Sequence, residues 1–246
     1  MKNILITLSF ILSFPLGLQS QDYVTTNFVS LTVPQDYKGE IRYLNETKTV
    51  DEVDVSSVPH DSSILPSFPN LLSTVTLYDV TDEGSLQLLG NSLSGKKSTY
   101  IVIYDFSQTQ TLEILDADKS AAYFALVGVS VRMVARVTTK SADINLADLF
   151  GLGIAASRNK VSGSLEVRVS GINSQQINEI IPVTTDLSPS SISNALQAVA
   201  TIKSHIYAPD TCITPQFLAF SAVKSDGNEL DVSVEEIFNK VKTYNF

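Results

Sequence analysis

The sequence predicts an α+β fold, mostly antiparallel β-sheet with two or three helices concentrated in the C-terminal third. Three observations support this class. Short apolar segments separated by turn residues recur along the first half of the chain, which is typical of a β-sheet layer. Residues 123–139 alternate apolar and polar side chains over an unusual length. The clear helical patterns come later, and strands followed by helices favour α+β.

The N-terminus has the layout of a secretory signal peptide. Lys2 precedes an apolar run at residues 4–18, and small or polar residues follow the run. The run is shorter than the roughly 20 residues that a membrane-spanning helix needs. We therefore expect residues 1–20 to be a signal peptide, and the rest of the chain to be periplasmic, displayed at the outer surface or secreted. A composition of 43% hydrophobic and 17% charged residues is that of a globular protein.

Residues 21–120 are predicted to form a β-rich N-terminal part. The predicted strands cover residues 27–34, 40–44, 71–80, 85–90, 98–106 and 110–115. The last two are interpreted as a pair that turns at the polar triplet Ser107-Gln108-Thr109, and residues 45–70 as a loop. Residues 121–246 are predicted to form an α+β C-terminal part, and one continuous domain over 21–246 is the alternative.

The second part begins with the strongest strand pattern, at residues 123–139. Its length predicts a bulge or a bend near Gly128, and residues 162–172 are its natural antiparallel partner. The helical patterns and a last strand follow in this order: a helix at 173–181, a helix at 188–206 with Ser188 as N-cap and Pro189 at its first position, a strand at 213–223, and a helix that starts at the capping box Ser233–Glu236.

The stretch from Leu146 to Lys160 admits several interpretations. Gly151, Gly153 and Ala156 fit the dinucleotide-loop pattern G-x-G-x-x-A, but no strand precedes them and no acidic residue follows at the required distance. A short amphipathic helix packed on the sheet is favoured, with a buried stripe of Leu146, Leu149, Phe150 and Ile154. A surface for a protein partner or for a membrane is the alternative. The residues of that candidate surface are Leu149, Phe150, Leu152, Ile154, Arg158 and Lys160.

Catalytic residues are scarce in this sequence. There are two histidines, His60 and His205, and no G-x-S-x-G motif. His205, Asp210 and Cys212 are close in sequence, but one helix end and a loop rarely bring such a set together. We therefore expect no catalytic residue. The single cysteine, Cys212, is expected to be buried and inert, with pairing to another chain or a reactive thiol as the alternatives.

No metal ion and no cofactor are expected. The acidic loop Asp51–Asp61 could bind one cation only if it folded back on itself. The segment that starts at Asp116 begins like a calcium loop, but it has Ala121 and Val127 where such a loop needs Gly and Glu. The chain has no tryptophan, which argues weakly against a sugar-binding or glycosidase site.

Charge is distributed unevenly along a chain whose net charge is −9. Residues 22–119 hold 15 acids and 6 bases, whereas residues 121–246 hold 11 acids and 10 bases. The acidic first half could face the basic middle of the same chain or of a neighbour. Within that middle, Arg132 and Arg136 are expected on the outer sheet face, where either could pair with Glu166. An acidic chain without a basic tail is a poor nucleic-acid binder, and we expect none to be bound.

These observations predict an exported, non-catalytic binding or assembly component of a bacterial cell envelope or secreted fraction. It would act through a protein partner or by self-association. The alternative is a membrane-active or pore-forming protein that uses the hairpin region 123–172. A cleft hydrolase that uses His60 or His205 is a further alternative.

Overall fold

The fold class predicted from sequence is confirmed by a computed structural model, which is mostly antiparallel β-sheet and belongs to the α+β class. The structure describes residues 28–81, 86–89, 99–115, 122–140 and 144–221. Three predicted features lie outside these residues: the signal peptide, the segment 116–120 that begins like a calcium loop, and the helix that starts at Ser233.

Twelve strands and three α-helices make up the described fold. The strands are β1 Phe28–Asp36, β2 Glu40–Leu44, β3 Val50–Asp54, β4 Asn70–Val80, β5 Leu86–Leu88, β6 Thr99–Leu115, β7 Ala122–Thr139, β8 Val161–Ser170, β9 Ile172–Asn173, β10 Thr185–Asp186, β11 Cys212–Ile213 and β12 Gln216–Ser221. The α-helices are α1 Leu149–Ser157, α2 Gln175–Ile180 and α3 Pro189–His205. Helices α2 and α3 lie in the C-terminal third, and α1 precedes it.

Eight of the described strands form one sheet. Six of them follow the order β1-β12-β7-β6-β4-β5. Strand β8 pairs with the same edge of β7 as β12 does, and β10 pairs with β8. The sheet contains strands from both sides of residue 120. Two smaller sheets, β2-β3 and β9-β11, accompany it.

Strands β6 and β7 form the centre of the sheet and pair along their whole length. On its other side β7 pairs first with β12, over residues 125–128, and then with β8, over residues 130–139. Gly128 lies at this change of partner, where a Cβ atom would come 2.1 Å from the Gln108 carbonyl oxygen. The predicted irregularity is therefore found near Gly128, but the register shift is on the neighbouring strand β12, between Phe217 and Ala219.

Two predictions about the first part are wrong. Ser107-Gln108-Thr109 is not a turn but the middle of β6, where it pairs with β4 on one side and β7 on the other. Ser107 and Thr109 are buried, so their polarity reflects a polar interior and not a loop. The predicted loop 45–70 contains β3, which pairs with β2, and two short 3-10 helices, Val55–Ser57 and Ser62–Ser67.

Helix α3 begins and packs as the sequence predicts. The Ser188 hydroxyl accepts a hydrogen bond from Ser191 N, and Ser191 Oγ accepts one from Ser188 N, which completes a capping box. Pro189 occupies the first turn, where its missing N–H costs nothing. The residues of the predicted stripe that are buried are Ile192, Ala195, Val199, Ile202 and Ile206. This stripe lies over the apolar face of the sheet, to which β7 contributes Val131, Met133, Ala135 and Val137.

The opposite face of the sheet buries a polar layer beneath β1. Arg132 is fully buried, and its Nη2 atom lies 2.6 Å from Asp105 Oδ2. Its Nη1 atom donates to the Leu31 carbonyl oxygen of β1, also at 2.6 Å. Burial raises the pKa of the Asp105 carboxyl, and the nearby Arg132 guanidinium opposes this effect. The prediction of a surface pair between Glu166 and either Arg132 or Arg136 is wrong, because Glu166 pairs with Arg168 instead.

Candidate functional site

The stretch 146–160 forms helix α1 because its start is capped and its apolar residues have a surface to pack against. Asp148 has an extended backbone, and its side chain accepts a hydrogen bond from Gly151 N at 3.0 Å. Just before it, the Leu146 carbonyl oxygen accepts a hydrogen bond from the Tyr104 hydroxyl, which ties the start of the helix to β6. The prediction of a short helix packed on the sheet is confirmed.

Helix α1 packs closely on α3 through Gly153. A Cβ atom at Gly153 would lie 2.9 Å from Ile192 Cδ1 and 3.3 Å from Pro189 Cα, so a glycine lets the two helices approach. Leu152 and Ala155 are buried on the same side of the helix. This inner face is part of the hydrophobic core.

The outer face of α1 is also apolar, and the predicted stripe is wrong for Phe150 and Ile154, whereas Leu146 is buried as predicted. Phe150 is 67% exposed and Ile154 is 49% exposed, although both were expected to be buried. Leu152, counted among the candidate surface residues, is fully buried, and Leu149 is half-buried. The two exposed residues are four positions apart, so they lie next to each other on one helical face. The physical reason for the error is that apolar residues occupy both faces of this helix.

Two basic residues follow the exposed pair. Asn159 adopts a left-handed backbone with φ 56, and Lys160 N donates to the Ala155 carbonyl oxygen at 2.9 Å, which ends the helix. Arg158 and Lys160 are exposed, as the candidate surface requires. Lys140, at the end of β7, donates its backbone N–H to the Lys160 carbonyl oxygen and adds a third exposed base.

We call Phe150, Ile154, Arg158 and Lys160 the α1 surface. The two ion pairs among the described residues are Asp105–Arg132 and Glu166–Arg168, so no acid of the described chain neutralises Arg158 or Lys160. Cations near the last turn of a helix are stabilised by its dipole. The α1 surface therefore presents exposed apolar residues beside two bases that form no ion pair with any described acid.

A cleft of about 140 Å³ lies between the C-terminal end of α3 and strands β4, β6 and β7. The hydroxyl of Tyr207 donates to Gln108 Oε1 at 3.1 Å, and Lys203 Nζ lies 5.9 Å from the centre of the Phe106 ring. Leu71 is exposed at its rim. Because drug-sized ligands occupy pockets of roughly 300 Å³ or more, this cleft is too small to define a ligand site by itself.

The residues that a hydrolase would need do not form a catalytic set within the described chain. His205 Nδ1 lies 2.8 Å from the Thr201 carbonyl oxygen, a contact within α3. No hydrogen bond among the described residues joins His205 to Asp210 or Cys212. His60 lies beside Ile213, with Nδ1 3.4 Å from its carbonyl oxygen. Cys212 is a free and exposed thiol, so the expectation of a buried cysteine is wrong; its strand β11 has two residues and leaves the side chain outside.

The acidic segment Asp51–Asp61 is used for local structure. Asp54 accepts hydrogen bonds from the amide and hydroxyl of Ser56, and Asp61 accepts one from Ser63 N, so each carboxylate caps a 3-10 helix. These hydrogen bonds lower the pKa of both carboxyl groups. In the part of the chain that the structure describes, no three His, Cys, Asp or Glu side chains form a group that could hold a metal ion.

The described helices offer no candidate for a membrane crossing, since none of them is long and apolar enough. Comparisons of the chain with protein-family models, with curated proteins and with solved structures find no match.

Proposed function

We propose that this protein is an exported, non-catalytic binding or assembly component that docks a protein partner on the α1 surface. The observation that carries the proposal is the exposure of Phe150 and Ile154 on a helix whose other face is locked into the core. Exposed aromatic residues next to arginine are a typical composition for the energetic centre of a protein interface. Export to a bacterial envelope or to the medium is supported by the signal-like pattern at residues 2–18.

The test uses the substitution Phe150→Asp in the full chain expressed in its own host. Phe150 is 67% exposed and is not part of the hydrophobic core cluster, so the variant should fold normally. Its charge would be desolvated in an interface and should weaken docking by at least about 2 kcal/mol. Val183→Asp is the matched control, because Val183 is an apolar residue that is 85% exposed elsewhere.

The measurement is the native mass of the tagged protein, recovered from the envelope and the medium after mild crosslinking. A defined complex is expected for the wild type and for Val183→Asp, and its loss for Phe150→Asp. A complex that survives Phe150→Asp would contradict the proposal.

Membrane contact by the same residues is the second candidate, because an exposed aromatic beside two cations also suits an interface of anionic lipid. A pore formed by the hairpin region 123–172 is a larger change, since it would have to expose Val131, Met133 and Leu165, which are buried. Leakage from anionic liposomes that disappears in Phe150→Asp would favour the membrane over a protein partner.

A further inference from the structure

The β2-β3 hairpin forms an acidic surface that also has an apolar centre. The register pairs Glu40 with Asp54, Arg42 with Glu52 and Leu44 with Val50, so these six side chains share one face of the hairpin. Val50 is 61% exposed on that face. The exposed acids on that face are Glu40, Glu52 and Asp54, whereas Glu46 lies in the turn and Asp51 lies on the opposite face. The two bases of the hairpin are Arg42 and Lys48, and Arg42 is engaged with the Thr111 carbonyl oxygen at 2.8 Å. We call Glu40, Glu46, Val50, Glu52 and Asp54 the hairpin surface.

Contacts with β6 show at which position along this strand the hairpin lies. Arg42 N donates to Gln110 Oε1 at 2.9 Å, and the Arg42 side chain reaches Thr111. Leu44 N donates to Ser67 Oγ at 2.9 Å, which fixes the hairpin to the second 3-10 helix. The hairpin therefore lies beside residues 110 and 111 of β6.

The basic end of the α1 surface, at Lys160, lies towards the opposite end of the same strand. Thr99, the first residue of β6, pairs with Thr138, and Thr139 pairs with Val161. Lys160 is next to Val161, and its backbone is bonded to Lys140. From Thr99 to Gln110, a strand extends about 36 Å, at roughly 3.3 Å per residue.

The distance between the two surfaces tests whether the acidic first half faces the basic middle of the same chain or that of a neighbour. Surface charges interact little beyond a Debye length of about 8 Å at physiological ionic strength. Within one molecule, the acids of the hairpin surface therefore cannot neutralise Arg158 and Lys160. Each surface keeps exposed apolar residues and a net charge, positive at the α1 surface and negative at the hairpin surface, so the two surfaces are complementary to each other.

We infer that the partner of the α1 surface is the hairpin surface of a second copy of this chain, in a head-to-tail contact. Phe150 and Ile154 then face Val50, and Arg158 and Lys160 face the acids around it. This inference rests on the proposed function and names the partner. Because the contact joins two different surfaces, it leaves one free surface of each kind at the ends of a dimer and continues to longer rings or chains.

The experiment reverses the charge at one end at a time in the full exported chain. One variant carries Arg158→Glu and Lys160→Glu, and the other carries Glu46→Lys and Glu52→Lys. None of these four side chains makes a hydrogen bond or an ion pair with another described residue. Both variants should therefore fold, and thermal unfolding checks this. Each variant alone should raise the dissociation constant of self-association by at least about tenfold, and added salt should weaken the wild type.

A mixture of the two variants tests whether association depends on the pairing of these two surfaces and not only on the net charge of each chain. In a mixture, Glu46→Lys/Glu52→Lys supplies a native α1 surface and Arg158→Glu/Lys160→Glu supplies a native hairpin surface. Analytical ultracentrifugation should then show mixed complexes that neither variant forms alone, joined by the native pair of surfaces and, because both charges are reversed, also by the variant pair. A wild-type chain that stays monomeric at low ionic strength overturns the inference, and so does a mixture that stays monomeric while the wild type associates. If the wild type is monomeric but Phe150→Asp still loses its complex in the host, the inference has failed and the proposed function stands.

Discussion

Two regions of this protein reverse the usual distribution of residues, and they do so in opposite ways. The layer beneath β1 buries a charged pair, Asp105 and Arg132, where a core is normally apolar. The outer face of α1 exposes Phe150 and Ile154, where a surface is normally polar. The buried charges contact each other and the backbone of β1. The exposed apolar residues have no partner within the described chain. The first region therefore contributes to folding, and the second is available for binding.

The largest expected effect comes from breaking the buried pair. Asp105→Asn leaves the Arg132 guanidinium buried without a negative partner, which should lower the free energy of unfolding by about 3–5 kcal/mol. Urea denaturation at neutral pH measures the change. Asp210→Asn, at an exposed site, is the control and should alter the stability little. Equal stabilities of Asp105→Asn and the wild type would mean that the pair does not hold β1 to the sheet.

The second largest effect on the free energy of unfolding is expected at the inner face of α1. Leu152→Ala removes a fully buried side chain and leaves a cavity, so we expect a loss of about 2–5 kcal/mol in the free energy of unfolding. Thermal or urea unfolding checks it, with Phe150→Ala on the outer face as the matched variant. If both substitutions cost the same, the assignment of inner and outer faces is incorrect.

In the Arg132→Met variant, the pH dependence of the free energy of unfolding shows how the buried Asp105 carboxyl behaves without its cation. It removes the cation that lowers the pKa of Asp105, whereas burial still raises that pKa above its unfolded value. Stability from such a carboxyl is present below the unfolded pKa and is lost as pH rises through the folded one. Relative to the wild type, the free energy of unfolding should therefore fall with rising pH, by at most about 1.4 kcal/mol per pH unit. Parallel stability curves from about pH 4 to about pH 8 would contradict this reading.

The smallest expected effect on stability belongs to the outer face of α1. Phe150→Asp should change the free energy of unfolding by no more than about 0.5 kcal/mol, because the side chain is mostly in solvent. Chemical denaturation measures it. A loss comparable to that of Leu152→Ala would show that Phe150 is a structural residue and would remove the basis of the α1 surface.

Local patterns allowed part of this structure to be predicted. The cap of helix α3 depends on signals within a few residues of each other, and the pairing of β7 with β8 depends on clear alternation in two strands that follow one another along the chain; both are found. The ion pair could not be predicted, because Asp105 is 27 positions from Arg132 and the nearby polar triplet Ser107-Gln108-Thr109 resembles a turn. The exposed face of α1 was predicted only as the alternative to a buried stripe, for another reason. Apolar residues surround this helix, so only its packing on α3 shows which of them remain in solvent.

The central claim is that the outer face of α1 is a docking surface. The native mass of the crosslinked protein from its own host tests it most directly, with the wild type, Phe150→Asp and Val183→Asp compared side by side. We expect a defined larger species for the wild type and Val183→Asp, and a monomer for a Phe150→Asp variant of unchanged stability. A monomer in all three cases, or the same larger species in all three, would mean that the outer face of α1 is not a docking surface.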